Sequence, residues 1–326
     1  MEYTEQTINP RKVFSRLGFG LTAMVAVWFL AQLLWQMAPQ WILGPDNSLE
    51  NTSVWLWLGN LIPLYVFAVP VFLLILRPMQ ATPPEKSKVQ PIRIVSVILI
   101  CFFFMYTGSM LGNGLSSLIS GGTAENRITS ILSEVSFFSV LITVILGPFL
   151  EEFVFRKTII DRILPYGEKT AVIVSALAFA LFHQNLYQLF YGFGLGLLLG
   201  YLYVRSGKLW LPAAVHTGIN CIGGVVAPVM LQLSEKLMLT DPLAAEGVEL
   251  VRLALLSLAL LGFSTALLGL FVAGLVFFCV RFRKAQWEPT PNQLPKELAG
   301  KTAYGNGGMI TYIALCSVIT IALLFV

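Results

Sequence analysis

Apolar runs of membrane-spanning length, separated by short polar segments that hold most of the charge, set the architecture of this chain. The runs fall at residues 17–37, 54–76, 92–118, 131–155, 170–186, 188–204, 209–231, 250–280 and 309–326. Each approaches or exceeds the ~20 residues with which an α-helix crosses a ~30 Å hydrocarbon layer. About nine transmembrane helices are therefore expected. The first run follows Arg11, Lys12 and Arg16, as a signal peptide would, but it is long enough to span and no small-x-small cleavage pattern ends it, so it reads as a helix that stays.

Composition agrees with this reading. The 326 residues are 56% hydrophobic and 12% charged, against about 25% charged in a soluble domain. With the N-terminus on the cytoplasmic side, the segments 1–16, 77–93, 156–169, 205–208 and 281–301 hold 18 of the 21 Lys and Arg residues. That is the asymmetry of the positive-inside rule. The net charge of +4 is thereby accounted for without a nucleic-acid partner. The chain reads as an all-α, polytopic, integral protein of a membrane, expected to be the cell membrane. Cys101, Cys221, Cys279 and Cys316 stand singly in apolar runs, without metal-knuckle spacing, and read as small core residues.

Charge inside the apolar runs is the exception that points to chemistry. Glu151, Glu152 and Arg156 lie within or beside the fourth run, where an ionised side chain costs about 2.5–3.5 kcal/mol at the bilayer centre and so needs a partner or a task. On a helix, Glu152 and Arg156 share a face one turn apart, while Glu151 points about 100° away. One carboxylate is tethered and the other is free. The two histidines of the chain lie in later runs, His183 one turn after Phe179 and His216 one turn before Asn220. A lone histidine on an apolar helix is usually a packing residue, but both of them following a free glutamate favour a site. Helix depths match only loosely, with Glu151 and His183 ~20 Å and His216 ~10 Å from the cytoplasmic ends of their helices, so tilt or a water-admitting cavity is needed to bring them together. Such groups suit hydrolysis of an amide: a glutamate and a histidine to activate water, and a histidine with an asparagine to meet a tetrahedral oxyanion. Ser175, Ser206 and Cys221 lack a nucleophile-elbow setting, which argues against covalent catalysis.

The glutamate pair with its arginine, the Phe179/His183 pair and the His216/Asn220 pair resemble the EExxxR, FxxxH and HxxxN motifs of the CPBP family, in the family's order. That family comprises type II CAAX prenyl endopeptidases and bacteriocin-processing or immunity-related intramembrane proteins. The resemblance covers about residues 130–232, giving a division into N-terminal helices 1–129, a catalytic core 130–232, and C-terminal helices with a cytoplasmic linker 233–326. It implies that Glu151 is the general base with His183 positioning the water, that His216 and Asn220 form the oxyanion site, and that Glu152 and Arg156 are structural while Phe179 shapes the cavity. The implied partners are membrane lipids and a peptide or protein substrate, lipidated or not.

Other readings use the same residues. Glu151, His183 and His216 are a plausible zinc ligand set, with Glu152 as base, though no HExxH occurs and the metal-free mechanism is preferred. A non-catalytic peptide-binding or immunity protein would use the groups for recognition, and a proton-coupled carrier for relay. No matched pair of interrupted helices supports the carrier. Gly192, Gly196 and Gly200 form a small-xxx-small ridge for close helix packing. Pro148 is expected to kink the fourth helix and free a carbonyl. Residues 232–249 are expected to be an outer loop or a short surface helix, and residues 282–308, rich in Pro and Gly and carrying Trp287, a flexible linker.

Overall fold

The computed structural model describes residues 9–44, 49, 52–124, 136–240, 247–281 and 284–325. These residues form helices α1 (Pro10–Leu43), α2 (Val54–Leu76), α3 (Pro91–Ser120), α4 (Phe137–Tyr166), α5 (Glu168–Phe182), α6 (Leu186–Ser206), α7 (Trp210–Leu239), α8 (Val248–Arg281), α9 (Lys296–Tyr304) and α10 (Gly307–Ala322). No strand occurs among the described residues. Among the described residues seven helices are long and apolar enough to span, and counting α9 with α10, bent by 63° at their junction, as one span gives eight. The chain is an integral, multi-pass membrane protein.

Against the expected nine or so spans, the difference falls at the fifth run. Helix α5 has 15 residues, ~22 Å at 1.5 Å per residue, which falls short of the ~30 Å layer. It ends at His183, and Gln184 turns the chain with φ +52°. Nearly every α5 side chain is buried, so its apolar character reflects a position inside the bundle.

Two clusters of buried side chains make up the core. One joins α1, α2, α4 and α5 to Met309, Tyr312 and Cys316 of α10, and the other joins α3, α6 and the first turns of α7;. Small residues set the closest approaches. A Cβ on Gly196 of α6 would stand 2.8 Å from Cα of Ala176 on α5, so the ridge expected from sequence does face α5. Gly18 of α1 and Gly308 of α10 cross backbone to backbone, with no room for a side chain at either.

Three of the spanning helices widen into π-turns, at Pro63–Ala68, Leu141–Leu146 and Ile222–Val226. Each of these is followed by a proline two residues on, Pro70, Pro148 and Pro228, whereas a fourth π-segment, Phe153–Ile160 of α4, which carries Arg156, is not. The physical reason is that proline has no N–H and its ring collides with the preceding turn, so the helix opens to accommodate it. In α4 the Gly147 N–H reaches back five residues to the Ile142 carbonyl. Continuing that register, Pro148 would have to donate to Thr143, and it has nothing to donate.

Two further expectations are corrected. Residues 284–295 are tied to the bundle: Asn292 and Leu294 donate backbone N–H groups to the carbonyls of Pro165 and Tyr166 at 3.0 and 3.1 Å, and the Trp287 ring meets Tyr201 edge-on. Composition alone reads as linker there because the fixing contacts are long-range. Cys101 and Cys316 are buried as expected, but Cys221 and Cys279 are exposed on the helix surface. The segment 232–249 begins as the last turns of α7, to Leu239, and ends in the first turn of α8; residues 241–246 lie outside the described residues, as do 131–135 of the fourth run.

Candidate active site

Helices α4, α5 and α7 converge on the buried pair of Glu152 and Arg156, both wholly inaccessible. Arg156 donates Nε to Oε2 of Glu152 at 3.0 Å and an Nη to Oε1 at 3.3 Å, the two-point contact that the one-turn spacing allows. Its remaining reach goes to Oγ of Ser175 on α5 at 3.0 Å, and that hydroxyl donates to the Phe155 carbonyl at 2.6 Å. The guanidinium also lies over the Phe179 ring, 4.9 Å from its centroid. An ion pair in this setting holds only because its remaining hydrogen-bonding capacity is filled.

His216 of α7 joins the pair from the other side. Its Nδ1 lies 3.1 Å from Glu152 Oε1 and its Nε2 lies 3.7 Å from Glu151 Oε2. The Glu152 carboxylate can only accept, so Nδ1 donates to it, and Nε2 is the ring atom turned toward Glu151. Glu151 is about a quarter exposed, at 24%, where Glu152 is at 0%. The tethered and free carboxylates expected from the helical register are therefore distinct in the fold.

Phe179 stands between the two histidines, edge-on to both, with centroids 4.7 Å from His183 and 5.8 Å from His216. His183 closes α5, and its Nδ1 lies 2.9 Å from the Phe179 carbonyl, an acceptor to which Nδ1–H donates. Asn220, one turn after His216, donates Nδ2 to the Thr143 carbonyl at 2.9 Å. That carbonyl is the one left without a donor by Pro148, so the freed group expected from sequence is taken up by the asparagine.

The structure thus brings Glu151, Glu152, Arg156, Phe179 and His216 into one contact network, sets His183 against its edge, and bonds Asn220 into the wall. Sequence reasoning missed Thr143, the role of Ser175, and Tyr65 and Tyr191, whose side chains on α2 and α6 lie within electrostatic reach of Glu151. None carries a local signal, because each acts across helices. Among the described residues no three His, Cys, Asp or Glu side chains form a metal-holding group. Nδ1 of His216 is committed to Glu152, which leaves Nε2 as the His216 atom that faces Glu151, and Phe179 packs against both imidazoles.

The fold and site define a multi-pass helical membrane protein with a buried polar network among its helices. Comparison with known proteins agrees: residues 133–222 match the family described as "Type II CAAX prenyl endopeptidase Rce1-like". The chain is similar to the "Putative membrane peptidase YdiL" of Bacillus subtilis (strain 168), 25% identical over 187 residues that cover 54% of this chain and 72% of that protein. It is also similar to the "Membrane-embedded CAAX protease MroQ" of Staphylococcus aureus (strain USA300), 24% identical over 182 residues, 52% of this chain and 73% of that protein. No solved structure matches the chain. The family recognised from the three motifs is the one the comparisons find.

Proposed function

We propose that the chain is an endopeptidase that hydrolyses a peptide bond in a membrane-proximal peptide or protein tail, with Glu151 as general base. The observation that carries this reading is the approach of His216 Nε2 to Glu151 Oε2, at 3.7 Å, with Glu152 and Arg156 holding the far side of the ring. Two acceptors at that separation can share one water, each taking one of its protons, which leaves an oxygen lone pair free for a substrate carbonyl.

Glu151 removes one proton as the water oxygen bonds to the carbonyl carbon. The same proton then passes to the amide nitrogen as the C–N bond breaks, which releases a new carboxyl end and a new amine end and restores the carboxylate. Asn220 spends one amide proton on Thr143 and keeps the second for the carbonyl oxygen as it gains charge, a contact whose loss typically costs about 2.7–4 kcal/mol. His183 offers its Nε2 lone pair to a backbone N–H of the substrate. The motif-based assignment gives the water to His183 and the oxyanion to His216 with Asn220; the division proposed here gives His216 the water, because its Nε2 is the imidazole atom that approaches Glu151. The reaction as written needs no metal ion.

The family description and the two relatives support a substrate tail at the membrane. The test is cleavage of a quenched-fluorescent peptide library, with and without a farnesyl group, by the detergent-purified protein and its Glu151→Gln variant. Cleavage by the wild type with a loss of about 10² or more in the variant is expected. Equal cleavage by both would remove Glu151 as the base.

A further inference from the structure

Away from the catalytic network, a cavity of about 1050 Å³ opens between α3, α5, α6 and α8, at the upper end of the ~300–1,000 Å³ usual for ligand sites. Its chemistry is sorted by depth. Arg93, Lys169, Arg281 and Lys284 line one end, and none of them has a carboxylate partner among the described residues. The remainder is mostly apolar, including Val97, Phe193 and Leu197. From Arg93 to Ile100 on α3 the lining runs ~10 Å along the helix axis, counted at 1.5 Å per residue.

No Asp or Glu lines the cavity. Glu168 and Glu288 lie close by and share Arg205, which leaves one negative charge of that trio against the four positive charges of the rim. All four cations sit where α3 and α5 begin and α8 ends, at one end of the bundle. A positive rim over an apolar slot between membrane helices matches an amphiphile with an anionic head and a hydrocarbon tail, and basic pockets between spans at the membrane surface bind acidic lipid head groups. We infer that this cavity is a binding site for one anionic phospholipid, its phosphate among Arg93, Lys169, Arg281 and Lys284 and an acyl chain along Val97 and Leu197.

The test is native mass spectrometry of the full chain in detergent, titrated with phosphatidylglycerol, phosphatidylcholine or glycerol phosphate. One phosphatidylglycerol per chain is expected, with phosphatidylcholine held about tenfold or more weakly and glycerol phosphate failing to displace the lipid. Lys169→Gln with Lys284→Gln, both exposed positions, removes two rim charges at little risk to folding, and Leu197→Trp fills the slot with every charge kept. Each should weaken phosphatidylglycerol retention about tenfold, while Arg77→Gln with Lys86→Gln, outside the cavity, should leave it unchanged. Equal retention of the two lipids, an unaffected rim variant, or equal loss in the control pair would overturn the site. Displacement by glycerol phosphate at equal concentration would make it a site for a free anion and overturn the lipid assignment.

Discussion

Asn220 donates its side-chain amide to the carbonyl of Thr143 at 2.9 Å, and Thr143 is the residue whose carbonyl Pro148 leaves without a backbone partner in the π-turn of α4. The motif asparagine therefore ties α7 to the opened turn of α4, five residues before Pro148. A buried acceptor left unpaired costs about 1–3 kcal/mol, so Asn220→Ala should destabilise the protein by about that much. Pro148→Ala restores a backbone N–H. Combined with Asn220→Ala it should recover part of the stability while peptide cleavage stays low, because the N–H replaces the bond to Thr143 and not the donor to substrate. Thermal unfolding in detergent and peptide cleavage, measured on the two single variants and the double, check both halves. Equal cleavage by Asn220→Ala and wild type would confine the asparagine to the wall.

Arg156 is the sole cation bonded to Glu152 among the described residues, and both are fully buried. Removing one member of such a pair typically costs about 3–5 kcal/mol, because the survivor is left charged in an apolar site. Arg156→Met should therefore destabilise by about that amount and also disturb His216, which shares Oε1 of Glu152. Glu152→Leu with Arg156→Met removes both charges and should be more stable than Arg156→Met alone, yet inactive, since nothing then orients the imidazole. Thermal unfolding and cleavage rates on the three variants separate the structural effect from the catalytic one.

How much of this was legible in the chain follows from the range of each contact. The tether between Glu152 and Arg156 is a one-turn relation, so spacing alone gives it, and the same holds for Phe179 with His183. The bond from His216 to Glu152 spans 64 positions and has no periodic signature. Proline at 148 announces a disturbed helix, but not that the helix would widen into a π-turn or that Asn220 would take the freed carbonyl. Helix α5 looked like a span because a helix buried largely in protein is as apolar as one in lipid. The segment 284–295 looked like a linker because proline and polar composition describe local freedom, and its fixing bonds to Pro165 and Tyr166 are tertiary.

Arg205 is the clamp for that segment. It pairs with Glu168, both side chains being buried, and with Glu288 at 2.5 Å, while the Glu288 N–H donates to Glu168 at 2.7 Å. Glu288 is 73% exposed, so its ion pair is worth little. The backbone N–H bond to Glu168 is the stronger hold. Glu168→Ala, which removes the acceptor of that bond, should raise hydrogen exchange across residues 286–294 without unfolding the bundle, whereas Glu288→Gln should leave exchange near wild type because the backbone bond survives. Equal exchange in all three proteins would show that the bonds to Pro165 and Tyr166 hold the segment alone.

The contact between α5 and α6 allows two neighbouring ridge glycines to be told apart. A Cβ on Gly192 would stand 3.7 Å from Ala180 Cα, an ordinary contact, whereas on Gly196 it would stand 2.8 Å from Ala176 Cα and 2.9 Å from its Cβ. The Ala176 atoms belong to a buried helix and cannot swing aside, so Gly196→Ala forces the two helices apart, an overpacking that typically costs about 1–3 kcal/mol. Gly192→Ala meets no such obstacle and gains up to about 1 kcal/mol of helix propensity. Because α5 carries Phe179 and ends at His183, the shift in Gly196→Ala should also lower cleavage, while Gly192→Ala should cleave at the wild-type rate with an unchanged or raised unfolding temperature. Similar behaviour of the two variants would mean that the α5–α6 spacing does not set the position of the histidine.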